Sequence, residues 1–143
     1  MERFLMAQEA YYETALAEIK AGKKESHWMW FIFPQIDGLG YSEISQYYAI
    51  HSKREAMEYI AHPVLRKRLM EISVELLGLE TDDAESVFGS VDAKKLQSSM
   101  TLFYEICGSS VFAAVLVKYF NGDKDWQTLE RLNDMEVGLR WLG

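Results

Sequence analysis

Apolar residues recur at steps of three and four along almost the whole chain, and this spacing limits the possible folds more than any other feature. Such spacing places apolar side chains on one face of an α-helix, whereas a half-buried strand needs strict alternation. The pattern is clearest over residues 65–79, where the apolar positions are Leu65, Leu69, Ile72, Leu76 and Leu79. It predicts an all-α fold, a compact single-domain bundle of about seven to nine short helices.

Residues that start or stop helices separate these apolar stripes. Glycine and asparagine favour helix ends because they tolerate the left-handed conformation, and the predicted ends are Gly22, Gly89 and Asn121–Gly122. Hydroxyl and carboxylate side chains cap free N–H groups, and proline fits the first turn. The predicted starts are Ser42, the Ser52–Glu55 capping box, Pro63, the segment Asp82–Glu85, Ser90 or Asp92, Ser110 and Asp125, the last opening a short helix through Leu132.

The composition fits one domain that needs no disulfide. The 143 residues are 49% hydrophobic and include one cysteine, Cys107, which lies on a predicted apolar stripe and is expected to be buried. A single cysteine fits a reducing cytoplasm, and no apolar run approaches the roughly 18 residues of a membrane span. The net charge of −7 disfavours nucleic-acid binding. We expect a cytoplasmic protein without membrane or nucleic-acid partners, either a monomer or a weak dimer.

The most unusual segment is the apolar run from Trp28 to Phe33. Its aromatic and β-branched residues are typical of a buried strand, but no partner strand is evident, and a lone strand leaves its backbone groups unpaired. We therefore predict a buried helix that ends at Pro34. Most of these side chains are expected in the core; the alternative is that Trp28 or Trp30 lines a pocket and stacks on a planar ligand.

The string SHWMWFIFPQ, residues 26–35, followed by Gly38-Leu39-Gly40, resembles the signature of a bacterial and fungal family known as domain-of-unknown-function family 1810. The resemblance continues at residues 48–50, 62–65, 88–89, 94, 98–103 and 118–120. It covers residues 1 to 132 and leaves residues 133–143 as a C-terminal tail outside the pattern. The resemblance implies a compact all-helical domain, and it implies no established activity, substrate or catalytic residue.

Two polar residues precede the apolar run. Ser26 is expected to cap the following helix through its hydroxyl, with a ligand contact as the alternative. His27 is the one candidate for acid–base catalysis or ligand contact, because an imidazole ordinarily titrates near neutrality. The two do not form a nucleophile pair, since neighbouring helical side chains point in different directions.

The other histidines and the basic residues favour structural roles. His27, His51 and His62 lie 24 and 11 residues apart, without cysteine or carboxylate partners at the spacing of metal ligands. We therefore expect no metal and no cofactor. His62, just before Pro63, is expected to cap or pack locally.

A polar stripe runs along the helix that ends near Cys107. It consists of Lys94, Ser98, Thr101 and Glu105, in steps of four, three and four. The short hydroxyl side chains suit either a bound ligand or close packing against another helix. Lys94 adds positive charge near a helix start, where free N–H groups already favour anions.

Two functions of different classes remain. The first is a small-molecule-binding helical domain that holds an anionic planar ligand such as a nucleotide or an ADP-ribose-like molecule. The ligand contacts would come from Ser26, His27, Trp28, Trp30, Lys94, Ser98 and Thr101, with the two segments converging across one cleft. The alternative is a non-enzymatic helical protein-interaction module. The residues leave open whether the protein is an enzyme.

Overall fold

Eight α-helices build the part of the chain that the computed structural model describes, which is the backbone of residues 1–142 and the side chains of residues 1–135. The helices are α1 (Glu2–Lys20), α2 (Met29–Ile32), α3 (Glu43–Tyr48), α4 (Lys53–Ala61), α5 (Pro63–Leu77), α6 (Ala84–Cys107), α7 (Ser110–Phe120) and α8 (Trp126–Leu142). Within these residues there is no β-strand, only an isolated parallel bridge between Ile36 and Ile50. The prediction of an all-α single domain with seven to nine helices is confirmed.

The core lies between α1, α5, α6 and α7. α6 packs against α4, α7 and α8, and α5 packs against α1, α4 and α7. Fully buried aromatic rings link the helices: Tyr59 meets Phe4 edge-on at 5.1 Å between ring centroids and lies 5.1 Å from Phe103. Phe103 in turn lies 6.2 Å from Phe112 of α7. Such rings bury large apolar areas and fix the helices relative to one another.

α6 is kinked at Gly89, as the sequence predicted. Gly89 has φ 81° and ψ 165°, which breaks the helix into a stretch before it and a longer stretch after it. L-residues rarely adopt this conformation, so the break depends on glycine. The longer stretch begins a new helix, whose first N–H groups lack acceptors within the helix.

The predicted caps are largely confirmed. Ser42 and Ser52 each accept a hydrogen bond from the backbone N–H three residues later, and the His62 ring accepts hydrogen bonds from the backbone N–H groups of residues 64 and 65. The capping box is only half formed, because the Glu55 carboxylate binds Arg3 and the His51 N–H instead of the Ser52 N–H.

The prediction that Cys107 is buried is wrong, whereas the predicted buried helix before Pro34 is confirmed over four residues. Cys107 is exposed, because the apolar stripe of α6 drifts and Ile106 packs against the core in its place. The apolar run forms a helix of only four residues, α2, and Trp30 is half-buried while Trp28, Met29 and residues 31–33 are buried.

The last helix is longer than predicted. α8 continues past Leu132 to Leu142, so its backbone includes most of the expected tail at 133–143. The side chains of residues 136–143 lie outside the described part. No helix in the described residues combines the length and apolarity needed to cross a membrane.

Candidate functional site

A cavity of about 430 Å³ lies where the start of α8 and the start of the longer stretch of α6 face the segment after α2. This α6–α8 cavity is lined by Gln35, Leu39, Gly40, Ser45, Ser90, Val91, Lys94, Lys95, Ser98, Asp125 and Gln127. Its volume falls in the range of about 300–1,000 Å³ that is typical of small-molecule sites. Most of the lining side chains are polar, so a ligand would meet both hydrogen-bond donors and acceptors.

The segment after α2 forms a fixed wall of the cavity. The backbone N–H of Asp37 donates to Ile50 O, and the N–H of Ile50 donates to Gln35 O, both at 2.8 Å. Gly38 has φ 95°, and a Cβ atom there would lie 2.6 Å from the Arg131 guanidinium. The Arg131 Nε–H donates to the Asp37 carbonyl, which ties this wall to α8.

Lys94 supplies an unpaired positive charge at the cavity. Its side chain is exposed, and its ammonium group forms no ion pair or hydrogen bond with the residues whose side chains are described. Lys95 differs, because its ammonium lies 3.2 Å from Asp92, which also pairs with Lys24. Lys94 is therefore the cavity cation that is available to an anionic ligand.

Trp30 adjoins the cavity through a smaller recess. This recess is lined by Trp30 and shares Gln35, Gly40 and Ser45 with the α6–α8 cavity. The Lys95 ammonium lies 5.1 Å from the centre of the Trp30 ring. The half-buried indole therefore stands beside the cavity, with a cation near one face.

Beneath the cavity, Ser98 and Thr101 hold the start of α8 against α6. The Ser98 hydroxyl lies 3.2 Å from Asp125 Oδ2 and 3.0 Å from the Lys94 carbonyl. Thr101 Oγ1 accepts a 2.9 Å hydrogen bond from the Asp125 N–H. Both hydroxyls therefore pack α6 against another helix, which is one of the two roles expected for them. Ser98 also lines the cavity, where the other expected role, contact with a ligand, would apply.

Ser26 and Trp28 belong to a different cluster, centred on Glu18 of α1. The Glu18 carboxylate accepts hydrogen bonds from the Glu25 N–H, from the N–H and hydroxyl of Ser26, and from Trp28 Nε1 at 2.9 Å. Burial raises the pKa of Glu18, but these hydrogen bonds outweigh it and lower the pKa to about 2. Ser26 does not cap the next helix as expected, because α2 begins only at Met29 and Glu18 binds the hydroxyl.

The structure thus gathers some of the predicted site residues and leaves others apart. Lys94 and Ser98 line the cavity, Trp30 adjoins it, and Thr101 lies buried beneath it. Ser26, His27 and Trp28 do not line it. His27 is exposed and makes no hydrogen bond or ion pair with the described side chains.

Sequence reasoning missed Asp125 as a lining residue and recognised it only as a helix cap. It does cap α8, since its Oδ2 accepts hydrogen bonds from the Thr128 N–H and hydroxyl. Its position against Ser98 depends on tertiary packing, which no local pattern reveals. Among the described residues, no group of three or more histidine, cysteine or acidic side chains is arranged to hold a metal ion.

Fold and site together define an all-helical domain with a cavity of small-molecule size between two helix starts. The chain belongs to the family described as "Protein of unknown function (DUF1810)", whose model matches residues 1–132. It is also similar to the crystal structure of the conserved hypothetical protein Rv1873 from Mycobacterium tuberculosis. The two are 40% identical with a TM-score of 0.90, over 92% of this chain and 95% of that chain. No curated protein matches the sequence.

Proposed function

We propose that the domain binds an anionic small molecule with a planar group, such as a nucleotide or an ADP-ribose-like molecule, in the α6–α8 cavity. The observation that carries this proposal is the Lys94 ammonium, which lines a cavity of small-molecule size without an ionic partner among the described side chains. In a chain with a net charge of −7, a cavity lysine without an ionic partner among the described side chains favours a negatively charged ligand.

The backbone around Lys94 supports the same choice of ligand. Ser90 and Val91 line the cavity at the start of the helical stretch that follows the kink. Free N–H groups and the helix dipole at such a start both favour an anion. A phosphate near Lys94 would therefore meet a full positive charge and the positive end of a helix.

The planar group would be held by the apolar parts of the cavity. Leu39 and Val91 line it, and Val91 is 69% exposed, so its side chain is available for contact. Trp30 lines the adjoining recess, which shares Gln35, Gly40 and Ser45 with the cavity. The proposed function is binding without an assigned reaction, since the catalytic candidate His27 does not line the cavity. An exposed, lone Cys107 fits the cytoplasmic location that we propose.

A thermal-shift screen followed by calorimetry tests this proposal. Adenosine monophosphate, adenosine diphosphate and ADP-ribose are compared with uncharged adenosine. A ligand present at about 100 times its Kd stabilises the folded state by about 2.7 kcal/mol, an easily measured rise in melting temperature. We expect Lys94→Ala to weaken binding of the anionic compounds, while the control Lys23→Ala, at an exposed lysine outside the cavity lining, leaves it unchanged.

One observation favours the alternative, a non-enzymatic protein-interaction module. α3 contains no buried residue, and Tyr41, Ile44 and Tyr47 expose apolar surface in and just before it. Exposed apolar residues that lie close together are typical of interaction surfaces. A screen in which no nucleotide or sugar phosphate raises the melting temperature would favour this alternative over the ligand-binding proposal.

A further inference from the structure

Asp125 carries a carboxylate oxygen that the described residues leave without a hydrogen bond. The residue is only 7% exposed and lines the α6–α8 cavity. Its Oδ2 atom is occupied by the Thr128 N–H at 3.0 Å and the Thr128 hydroxyl at 2.6 Å, with Ser98 Oγ at 3.2 Å. Its Oδ1 atom accepts no hydrogen bond within the described part of the chain.

The unused oxygen is not sealed in the core, and it belongs to a residue that lines the α6–α8 cavity. Among the described side chains, the fully enclosed polar atom without a partner is Ser99 Oγ, and Asp125 Oδ1 is not in that state. A carboxylate oxygen of a nearly buried residue in a cavity lining needs a donor from water or from a ligand, because an unmade hydrogen bond to a charged group is costly.

We infer, on the basis of the proposed function, that the anionic ligand carries a hydroxyl-bearing sugar and that Asp125 Oδ1 accepts a hydrogen bond from a sugar hydroxyl. A bare anion would leave this oxygen unpaired and would be repelled by its charge. A ligand that combines a phosphate with a sugar satisfies Lys94 and Asp125 together.

The surroundings favour a neutral donor over a ligand ammonium group. Lys94 and Lys95 line the same cavity, and Asp125 stands at the start of α8, where the helix dipole disfavours cations. The other polar lining groups are uncharged: the amides of Gln35 and Gln127 and the hydroxyls of Ser45 and Ser90. Amides and hydroxyls both donate and accept hydrogen bonds, so they suit further sugar hydroxyls.

The test compares two ligands that differ only in their sugar hydroxyls, adenosine monophosphate and its 2′,3′-dideoxy analogue. Calorimetry on the wild-type protein should give tighter binding of the hydroxyl-bearing compound by about tenfold or more, as expected for one hydrogen bond to a charged group. Phenyl phosphate, a planar anion without a sugar, is the third probe and should bind no better than the dideoxy compound.

The variant Asp125→Asn assigns the preference to this residue. Asparagine is as good a helix cap as aspartate, so α8 should still form, which circular dichroism and thermal melting check. We expect Asp125→Asn to bind adenosine monophosphate about tenfold to hundredfold more weakly and to bind the dideoxy compound at least as well as wild type. Asp123→Asn is the matched control, because it makes the same change at an exposed aspartate that does not line the cavity, and it should leave binding of both compounds unchanged.

The outcomes separate this inference from the proposed function. If the wild-type protein binds all three phosphates equally and Asp125→Asn changes nothing, the sugar contact is refuted while anion binding stands. If the wild-type protein binds none of them, the proposed function fails and the inference fails with it. The comparison of ligands on wild-type protein remains decisive even where Asp125→Asn does not fold.

Discussion

The Glu18 cluster provides a sharp test of how the segment before α2 is held. Trp28 is fully buried, and its Nε1–H donates to Glu18 at 2.9 Å. In Glu18→Ala this buried donor loses its acceptor, which costs about 1–3 kcal/mol. The two backbone N–H groups and the Ser26 hydroxyl also lose a charged acceptor, but water can replace it at these more exposed sites.

We therefore expect Glu18→Ala to lower the free energy of unfolding by about 1–3 kcal/mol. For a domain of this size the melting temperature should fall by about 2–12 °C. The control is Glu25→Ala, since Glu25 is exposed and contributes only its backbone N–H to the cluster. Thermal melting followed by circular dichroism measures both variants, and equal melting temperatures for Glu18→Ala and Glu25→Ala would refute the reasoning.

A double-mutant cycle with Trp28→Phe isolates the indole contribution. Phenylalanine keeps most of the apolar volume but lacks the N–H, so Glu18→Ala should cost less in that background than in wild type, by about 1 kcal/mol or more. Additive effects of the two substitutions on the free energy of unfolding would show that the hydrogen bond from Trp28 Nε1 to Glu18 does not stabilise the fold.

The same cluster predicts a dependence on acid. The pKa of Glu18 is about 2 in the folded protein, against an ordinary value of 4.5 for a glutamate, so protonation favours the unfolded chain. The stability that Glu18 contributes is fully present above about pH 4.5 and is lost as the pH falls towards 2. Urea denaturation across this range should show a weaker pH dependence in Glu18→Gln than in wild type.

Three further predictions concern packing and exposure. Trp28→Ala and Phe31→Ala should each cost about 3–5 kcal/mol, because both side chains are buried, and melting within a degree or two of wild type would contradict the core assignment. Gly38→Ala should destabilise the domain, because the new Cβ atom meets Arg131 and φ is positive; unchanged urea denaturation would show that the wall adjusts freely. Cys107 should react with a thiol reagent in the native protein as fast as in the unfolded chain. Mass spectrometry measures the fraction of modified protein over time, and a much slower reaction in the native protein would contradict the exposure.

Local rules predicted many of the helix boundaries, though not the end of α8, because each of these boundaries depends on a few neighbouring residues. The His62 ring caps α5, and Asn121 ends α7 with φ 55°, both as the sequence indicated. Lys94 and Ser98 were also predictable as a pair, because residues four apart share one helix face.

The remaining site residues depend on contacts between distant parts of the chain. Asp125 meets Ser98 across 27 residues, and no spacing rule connects them. Glu18 draws Ser26 and Trp28 towards α1, so His27 lies in an exposed segment before α2 and not at the cavity. Cys107 at the end of α6 was also mispredicted. Its spacing places it on the apolar face, but a small rotation of that face along the helix leaves the side chain exposed.

The kink in α6 requires a backbone conformation at Gly89 that L-residues rarely adopt. With φ 81° and ψ 165°, this residue adopts the mirror image of an extended conformation that L-residues favour, and a Cβ atom there would contact nothing within 4 Å. Position 89 therefore favours glycine because of its backbone conformation, and not because a larger side chain would clash. An L-residue that restored regular helix would straighten α6 and redirect Phe88, whose ring lies 6.4 Å from Trp28 and 6.0 Å from Phe33. The helix start at Ser90 and the aromatic segment around α2 are thus linked through one achiral residue.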